Sequence, residues 1–493
     1  MLRIYNSLTK KVEEFQPLNA PKVGMYTCGP TVYDYVHIGN FRTYTTADLL
    51  LRVLGYNTYN VTYIMNITDV GHLTGDNLGD ADTGEDRMEK ASRKEGKSAW
   101  DVAKYYEEIF KEDFGKFNLT PPKLWTRATE YIKEQITLVE TLENKGFTYK
   151  TTDGIYFDTS KFPDYGKLSP LDHRGIIEGA RIGKNPEKRN PTDFALWKFS
   201  PSTRVSTELG RMSSGLSRRQ MEWESPWGLG FPGWHIECSA MSMKYLGETF
   251  DIHAGGEDLA ATHHPNEIAQ SEAATGKPFV RYWVHGAFMM VNGERMSKSL
   301  GNNFRLTDVV QKGFYPADLR YLYLQTHYRQ KMNFTWEALQ STHNSLAKLK
   351  EQMAGFKSQE SDRRTVLSEE KLAKVQNFSA RFRQMINNDL NMPQALAVLW
   401  EVAKSSIPSE DKYDLLIDFD SILGLGLKEV VPASSDSTIP QNLEKLLAQR
   451  EQKRKEKKWE EADMVRQKIA EAGYLVKDTP QGPRLIKKEL TQP

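Results

Sequence analysis

Between Val23 and Ile67 the chain spells a strand, a tight turn, a helix and a second strand, an order that restricts its fold more than any other stretch. Val23-Gly24-Met25-Tyr26-Thr27-Cys28 is an apolar, strand-forming run closed by Gly29-Pro30. Arg42 to Leu54 carries apolar residues at Ala47, Leu50, Leu51 and Leu54, Gly55 stands where a helix C-cap is expected, and Tyr59 to Ile67 alternates as a strand does. This βαβ unit calls for a parallel sheet, and such sheets bind ligands beyond the carboxyl ends of their strands. There His37-Ile38-Gly39-Asn40 leads into the helix, where free N–H groups and the helix dipole favour a phosphate.

The strand pattern resumes much later. Thr249 to His253 leads to Gly255-Gly256, a helix runs through Ala274, and Phe279 to His285 forms another strand. Phe288 to Glu294 then reads as a hairpin around Asn292-Gly293, which turns the Arg295 loop back over the site. Between the halves, amphipathic helices are expected near Trp100–Phe114 and Thr129–Lys145, and Asp153 to Glu224 has short strand-like pieces, including Gly154 to Phe157, as an inserted domain would. Gly71 to Glu85 reads as an exposed loop, and from Asp318 the periodicity is helical with a polar break at Lys357 to Arg364. Val431 to Pro440 has the composition of a linker. The expected organisation is α/β: a split Rossmann-type nucleotide-binding domain (1–120 and 233–317), a connective insertion (121–232), an α-helical region (318–430) and a basic tail (441–493).

A chain of 493 residues with 39% hydrophobic residues can bury more than one core. Lys and Arg number 66 against 65 Asp and Glu, so any contact with nucleic acid has to be local. The stretch from Gln441 to Pro493 holds 13 Lys/Arg against 9 Asp/Glu, a net of +4, which suits an RNA-facing tail and equally a solvated helical hairpin. No run reaches membrane-spanning length and no basic, apolar leader opens the sequence, so a cytoplasmic protein is expected. Its two cysteines, Cys28 and Cys238, do not form the framework of a disulfide-rich secreted chain.

Glu294-Arg295-Met296-Ser297-Lys298-Ser299 sets two cations and two hydroxyls on the loop after the hairpin. Together with His37-Ile38-Gly39-Asn40 it resembles the paired signatures H-I-G-H and K-M-S-K-S of class I aminoacyl-tRNA synthetases. The resemblance implies ATP, with Mg2+, held near Gly29, Pro30, His37, Gly39, Asn40, Gly255, Gly256, Arg295 and Lys298, with His37, Asn40 and Lys298 stabilising charge in the chemical step. Two positions depart from the signatures. Asn40 can donate a hydrogen bond but carries no charge, and Arg295 keeps the charge and offers a fork to phosphate.

His263 and Glu267, four residues apart on an expected helix, share one face. With Cys28 and Cys238 they supply donors suited to zinc, although spacing alone also allows a plain helical hydrogen bond, and His264 is an available substitute. Gly233 to Met241, Phe250-Asp251-Ile252-His253, His263-His264 and Asn266 to Ser271 resemble the cysteinyl-tRNA synthetase family, as do Ala462-Asp463 and Asp478 to Gly482 in the tail. That resemblance implies one zinc on Cys28, Cys238, His263 and Glu267, and a cysteine pocket using Thr68, Trp234 and Asp258. It implies L-cysteine, ATP and tRNA(Cys) as substrates of a monomeric ligase, with 318–430 as the helical stem and anticodon-binding region. Leu259-Ala260-Ala261-Thr262 departs from the family's larger residues and proline and bears on pocket shape. Two further readings remain open on sequence: a ligase joining cysteine to an amino sugar, and a catalytically silent tRNA-binding paralogue.

Overall fold

The computed structural model describes residues 1–71, 73, 84–168, 185–200, 219–297, 300–359, 367–428, 441–456, 458–479 and 482–487. Residues 1–430 and 431–493 form two compact units. In the first, strand β1 (Lys22–Thr27) feeds helix α1 (Ile38–Tyr56), followed by β2 (Asn60–Ile67) and β3 (Leu124–Arg127). After the insertion come helix α2 (Trp234–Leu246), β4 (Phe250–Gly256), helix α3 (His264–Thr275) and β5 (Val280–Gly286). The five strands are parallel in the order β5-β4-β1-β2-β3. Apolar side chains such as Met25, Leu50, Met65 and Ile252 bury its faces, as a sheet sandwiched by helices requires.

Helix α1 starts four residues before the expected Arg42. His37 caps it: its Nδ1 accepts from Asn40 N at 3.2 Å, and Asn40 Oδ1 accepts from His37 N at 3.4 Å. The helix runs through Gly55 and ends at Asn57, so Gly55 is not the cap. Thr58 takes the left-handed conformation there, with φ of 67°. Strand β3 corrects the domain boundary: it lies inside the span 121–232 expected for the insertion, yet pairs with β2 as the edge of the parallel sheet. The expected helices occur at Ala99–Lys116 and Ile132–Asn144, and an unexpected one, capped by Asp86, at Arg87–Glu95.

The insertion contains a four-stranded antiparallel sheet, Thr148–Lys150, Gly154–Phe157, Phe194–Phe199 and Gly230–Pro232 in that order. Its Ile155, Phe157 and Leu196 pack with Leu138 and Val139 of Ile132–Asn144 and with Ile236 of α2. Most of the expected loop at Gly71–Glu85, the centre of the break at Lys357–Arg364 and all of Val431–Pro440 lie outside the described residues. The hairpin forms as expected from β6 (Met289–Val291) and β7 (Glu294–Arg295), with φ of 51° at Asn292 and 82° at Gly293. Unforeseen in the sequence, β8 (Met332–Phe334) runs parallel to β6.

Among the described residues of this unit, β5 is followed by a short helix at Leu306–Gln311 and then by helices at Pro316–Leu324, Trp336–Ser358, Glu369–Asn387, Met392–Lys404 and Ser409–Leu423. Arg320 fastens them to the sheet domain. Fully buried, it donates to Asp48 Oδ2 of α1 at 2.6 Å, to Leu423 O at 2.6 Å and to Phe117 O at 3.3 Å. The second unit has helices Gln441–Lys455 and Trp459–Glu471 and, beyond the expected helical pair, an antiparallel hairpin of Tyr474–Thr479 with Gly482–Lys487. No helix among the described residues is long and apolar enough to cross a membrane.

Burial alone would raise the Asp48 carboxyl, but Arg320, Arg52 and the Thr120 N–H together hold it below the ordinary carboxylate value. The stability this contributes is present above the unfolded value of about 3.9 and is lost as pH falls through the lower folded value. Asp48→Ala leaves the buried guanidinium unpaired and should cost about 3–5 kcal/mol, measured as a lowered urea midpoint at neutral pH. A loss below about 1 kcal/mol, as for a solvent-screened pair, would contradict the assignment.

Candidate functional site

Met25–Thr27 of β1 pair with Ile252–Ala254 of β4, and Cys28 N donates to Ala254 O at 3.3 Å. The Cys28 thiol therefore leaves the carboxyl end of β1 beside β4. Cys238 comes from α2, and His263 and Glu267 stand at the start of α3, one turn apart. All four are buried, and one donor atom from each lies within 4.8 Å of the others. The two Sγ atoms are 3.9 Å apart, close to the roughly 3.8 Å edge of a tetrahedron with metal–sulfur bonds of about 2.3 Å. His263 Nε2 and Glu267 Oε1 are hydrogen-bonded at 2.8 Å. A shared metal would part them to about 3.3 Å, a small movement, so the residues fit a tetrahedral ion. A second set, Cys28, His253, His264 and Glu267, meets the same distance condition with one sulfur fewer.

Histidines surround the cluster. His253 Nε2 lies 3.0 Å from Glu267 Oε2, His235 Nδ1 is 2.8 Å from His263 Nδ1, and His264 Nδ1 is 2.7 Å from His285 Nε2, which reaches Ser7 Oγ through Nδ1 at 2.8 Å. Such contacts orient ligands and fix their tautomers. Burial disfavours charge on every group here, but neighbours overrule it at three. The Cys28 hydrogen bond and His263 bring the Cys238 thiol down to about 6, Glu267 lifts His263 to about 10, and His253 with His263 holds Glu267 at about 2. Burial prevails at Cys28, whose thiol is pushed up, and at His264 and His285, the latter falling to about 3. The set containing Cys238 and His263 thus has the second soft sulfur and the more readily ionised thiol. The sequence offered His235 and His253 within its motif words but no role for them, and nothing singled out His285.

A cleft of about 260 Å3 opens on Cys28 and Trp234 and passes Gly29 and Pro30 to His37, Asn40 and Asp258. A second, of about 460 Å3, shares His37, Asn40, Gly256 and Asp258 and continues past Gly39 to Met290, Arg295 and Met296. Gly29 can only be glycine, because a Cβ would fall 1.8 Å from Asn66 O, and its N–H donates to Asn66 Oδ1 at 2.8 Å. The cap of α1 sets the chemistry of His37: Nδ1 accepts a hydrogen bond, leaving Nε2 to carry the proton of the neutral ring. Asn40 Oδ1 is used in the same cap, which leaves its NH2 as the donor. Trp234 packs on the His263 ring, with centroids 4.4 Å apart. Asp258 stands where the clefts meet, and the protein around it raises its carboxyl.

Two expected site residues line neither of these clefts. Thr68 is on neither cleft wall: it accepts from Asn66 Nδ2 at 3.1 Å and donates to Glu237 Oε2 at 3.0 Å, behind Gly29. Gly255 lies under His264, whose Cε1 would be 2.8 Å from an added Cβ, and lines neither cleft. Lys298 lies outside the described residues.

A family model described as the tRNA synthetases class I (C) catalytic domain matches residues 14–344, and one described as the cysteinyl-tRNA ligase anticodon binding domain matches 436–483. The second match falls on the C-terminal unit, not on 318–430 where an anticodon-binding region was expected. The chain is 47% identical to cysteine–tRNA ligase 1 of Burkholderia lata over 98% of its own length and 97% of that protein's. It is 41% identical to the cysteine–tRNA ligase of Treponema denticola, over 97% and 98%. Methionyl-tRNA synthetase of Mycobacterium tuberculosis in complex with methionyl-adenylate shares the fold, with a TM-score of 0.55 at 15% identity over 84% of this chain and 92% of that one.

Cobalt(II), whose thiolate bonds absorb light, separates the two ligand sets. Cys238→Ser should weaken the thiolate–cobalt band and lower metal retained per chain, whereas His264→Gln should leave both within about a tenth of the unaltered protein's. The opposite pattern would move the metal to the His253–His264 set.

Proposed function

The chain belongs to the cysteine–tRNA ligase family of class I tRNA synthetases, and on that premise we propose how its residues carry out the family's reaction. That reaction activates L-cysteine with ATP to cysteinyl-adenylate, releasing diphosphate, and transfers the cysteinyl group to the 3′ end of tRNA(Cys), releasing AMP. The observation carrying the reading is that Cys28 belongs both to the metal-fitting cluster and to the cleft wall. Substrate entering the cleft therefore meets the cluster directly.

Cysteine and serine differ by one atom, and a pocket separates near-isosteres poorly by shape. Zinc on Cys28, Cys238, His263 and Glu267 would favour a soft thiolate and lower the pKa of a bound thiol, while a neutral hydroxyl is a poor ligand. His253 lies 3.0 Å from the other oxygen of Glu267 and would orient that carboxylate toward a bound zinc. Trp234 closes the side-chain end of the pocket, and the Asp258 carboxylate answers the substrate ammonium. Thr68 acts from behind, holding Asn66 and through it Gly29.

The cysteine carboxylate attacks the α-phosphorus and the bond to the diphosphate oxygen breaks, so no protein nucleophile is needed. Catalysis is positioning and charge stabilisation. His37 donates from Nε2, Asn40 from its amide, and Arg295 and Lys298 supply positive charge, with Mg2+ accompanying ATP. Gly29, Pro30, Gly39 and Gly256 let the nucleotide approach the backbone, and Gly255 serves by admitting His264. The working unit in this reading is a monomer, and the reaction suits the cytoplasm. The C-terminal unit reads the anticodon, with phosphate contacts from Lys453, Arg454, Lys455, Lys457 and Lys458. Lys453 pairs with Glu461 at 2.5 Å and Lys458 with Glu456 at 3.0 Å, exposed pairs that a phosphate can replace at little cost.

Cysteine-dependent ATP–pyrophosphate exchange tests the chemistry. Lys298→Ala should lower its kcat about 100-fold with little change in KM for cysteine, and a change confined to that KM would remove Lys298 from the chemical step. Truncation after Pro440 should abolish most tRNA charging while exchange persists. Charging at the full rate over a range of salt would contradict the role given to the C-terminal unit.

A further inference from the structure

Arg42 is a buried cation without a buried anion. It is 3% exposed, and among the described residues no carboxylate pairs with it. Arg320, the other deeply buried arginine of this region, has Asp48. The Arg42 fork instead meets four backbone carbonyls: Nη1 donates to Ala287 O at 2.6 Å and Phe288 O at 2.9 Å, and Nη2 to His327 O at 3.3 Å and Gln330 O at 2.6 Å. Burial lowers the guanidinium only to about 10, so it is charged at neutral pH.

The four carbonyls belong to two segments, one leaving the carboxyl end of β5 and one entering β8. These are bound to each other, Ala287 N to Tyr328 O at 2.8 Å and Met332 N to Phe288 O at 3.1 Å, and Phe288 N also donates to Glu257 Oε1 at 2.8 Å. Ala287 to Met290 and Lys331 form one wall of the second cleft, while His37, Asn40 and Thr43 of α1 form the facing one. Arg42 lies on that same helix and ties the walls together. Lysine has three donors at a single point and glutamine two, so neither can serve four converging carbonyls from one planar fork.

We propose that Arg42 is the positioning residue of the nucleotide cleft. Resting on the reading that ATP occupies the second cleft, Arg42 fixes the Ala287–Met290 wall at the distance from α1 that the nucleotide requires. It also sets a positive charge, offset in part by Glu257, behind the wall of a cleft that takes a polyanion. Two of its partners, Ala287 and Phe288, are main-chain atoms of the nucleotide wall, the other two belong to the segment bonded to it, and none belongs to the metal-fitting cluster, so its loss should act on ATP and spare cysteine.

Direct calorimetric titration of ATP, without cysteine, tests this in the full chain. Arg42→Lys should weaken ATP binding about tenfold and Arg42→Gln more, as expected for lost hydrogen bonds from a charged donor. Cysteine binding and metal per chain should stay within about twofold. Unchanged ATP affinity, or equal losses for ATP, cysteine and metal, would overturn the proposal, the latter by showing a merely structural role. Hydrogen exchange on the unaltered protein keeps the test available if a variant does not fold. ATP should slow exchange at Phe288 to Met290 and cysteine alone should not, and absence of ATP-dependent protection there overturns the proposal. Cysteine-dependent pyrophosphate exchange by the unaltered protein tests the reading of the site separately, since its failure would leave the ATP measurement on Arg42 decisive.

Discussion

The parallel pairing of β1 with β4 is the contact on which the site depends. These strands come from opposite halves of a split domain, and their register sets Thr27 opposite Ala254. Cys28 then emerges beside the layer that carries Cys238, His263 and Glu267, and His37 caps α1 at the same edge of the sheet. A metal cluster, an anion-favouring helix end and a cleft between them all follow from that one pairing. The turn allows it only because Gly29 has no side chain, since a Cβ would collide with Asn66 O.

Two buried electrostatic arrangements work in opposite ways. Around the cluster, Glu267 holds His263 and His253 through its two oxygens, and its negative charge raises the His263 imidazole against the effect of burial. Charge is concentrated there at the position where a cation fits. In the second arrangement Arg42 has no ion-pair partner among the described residues, and backbone carbonyls satisfy it with Glu257 acting only at longer range. Both place charge where a substrate group of opposite sign or a metal can use it, which a fully neutralised core would not do.

Much of this was legible in the sequence because the relevant signals are local. The βαβ unit, the Asn292-Gly293 hairpin and the two nucleotide motifs are short segments with turn chemistry of their own. The early start of α1 was not legible because histidine is an uncommon cap, and its role depends on the reciprocal bond with Asn40. Strands β3 and β8 were missed because they are four and three residues long and gain their stability from neighbours distant in sequence. The histidine contacts and Arg42 were hidden for the same reason: His285 and the carbonyl of Gln330 acquire meaning only once the fold closes. Thr68, expected in the cysteine pocket, is not among the residues lining either cleft and bridges Asn66 and Glu237, contacts that residue type alone does not reveal.

Zinc-edge X-ray absorption on the full chain, with and without L-cysteine, tests the central claim most directly, because it counts sulfur atoms at about 2.3 Å from the metal. The account predicts two sulfurs, from Cys28 and Cys238, rising to three when cysteine is added and staying at two with serine. A sulfur count that does not change with cysteine would contradict recognition of the substrate thiol at this site.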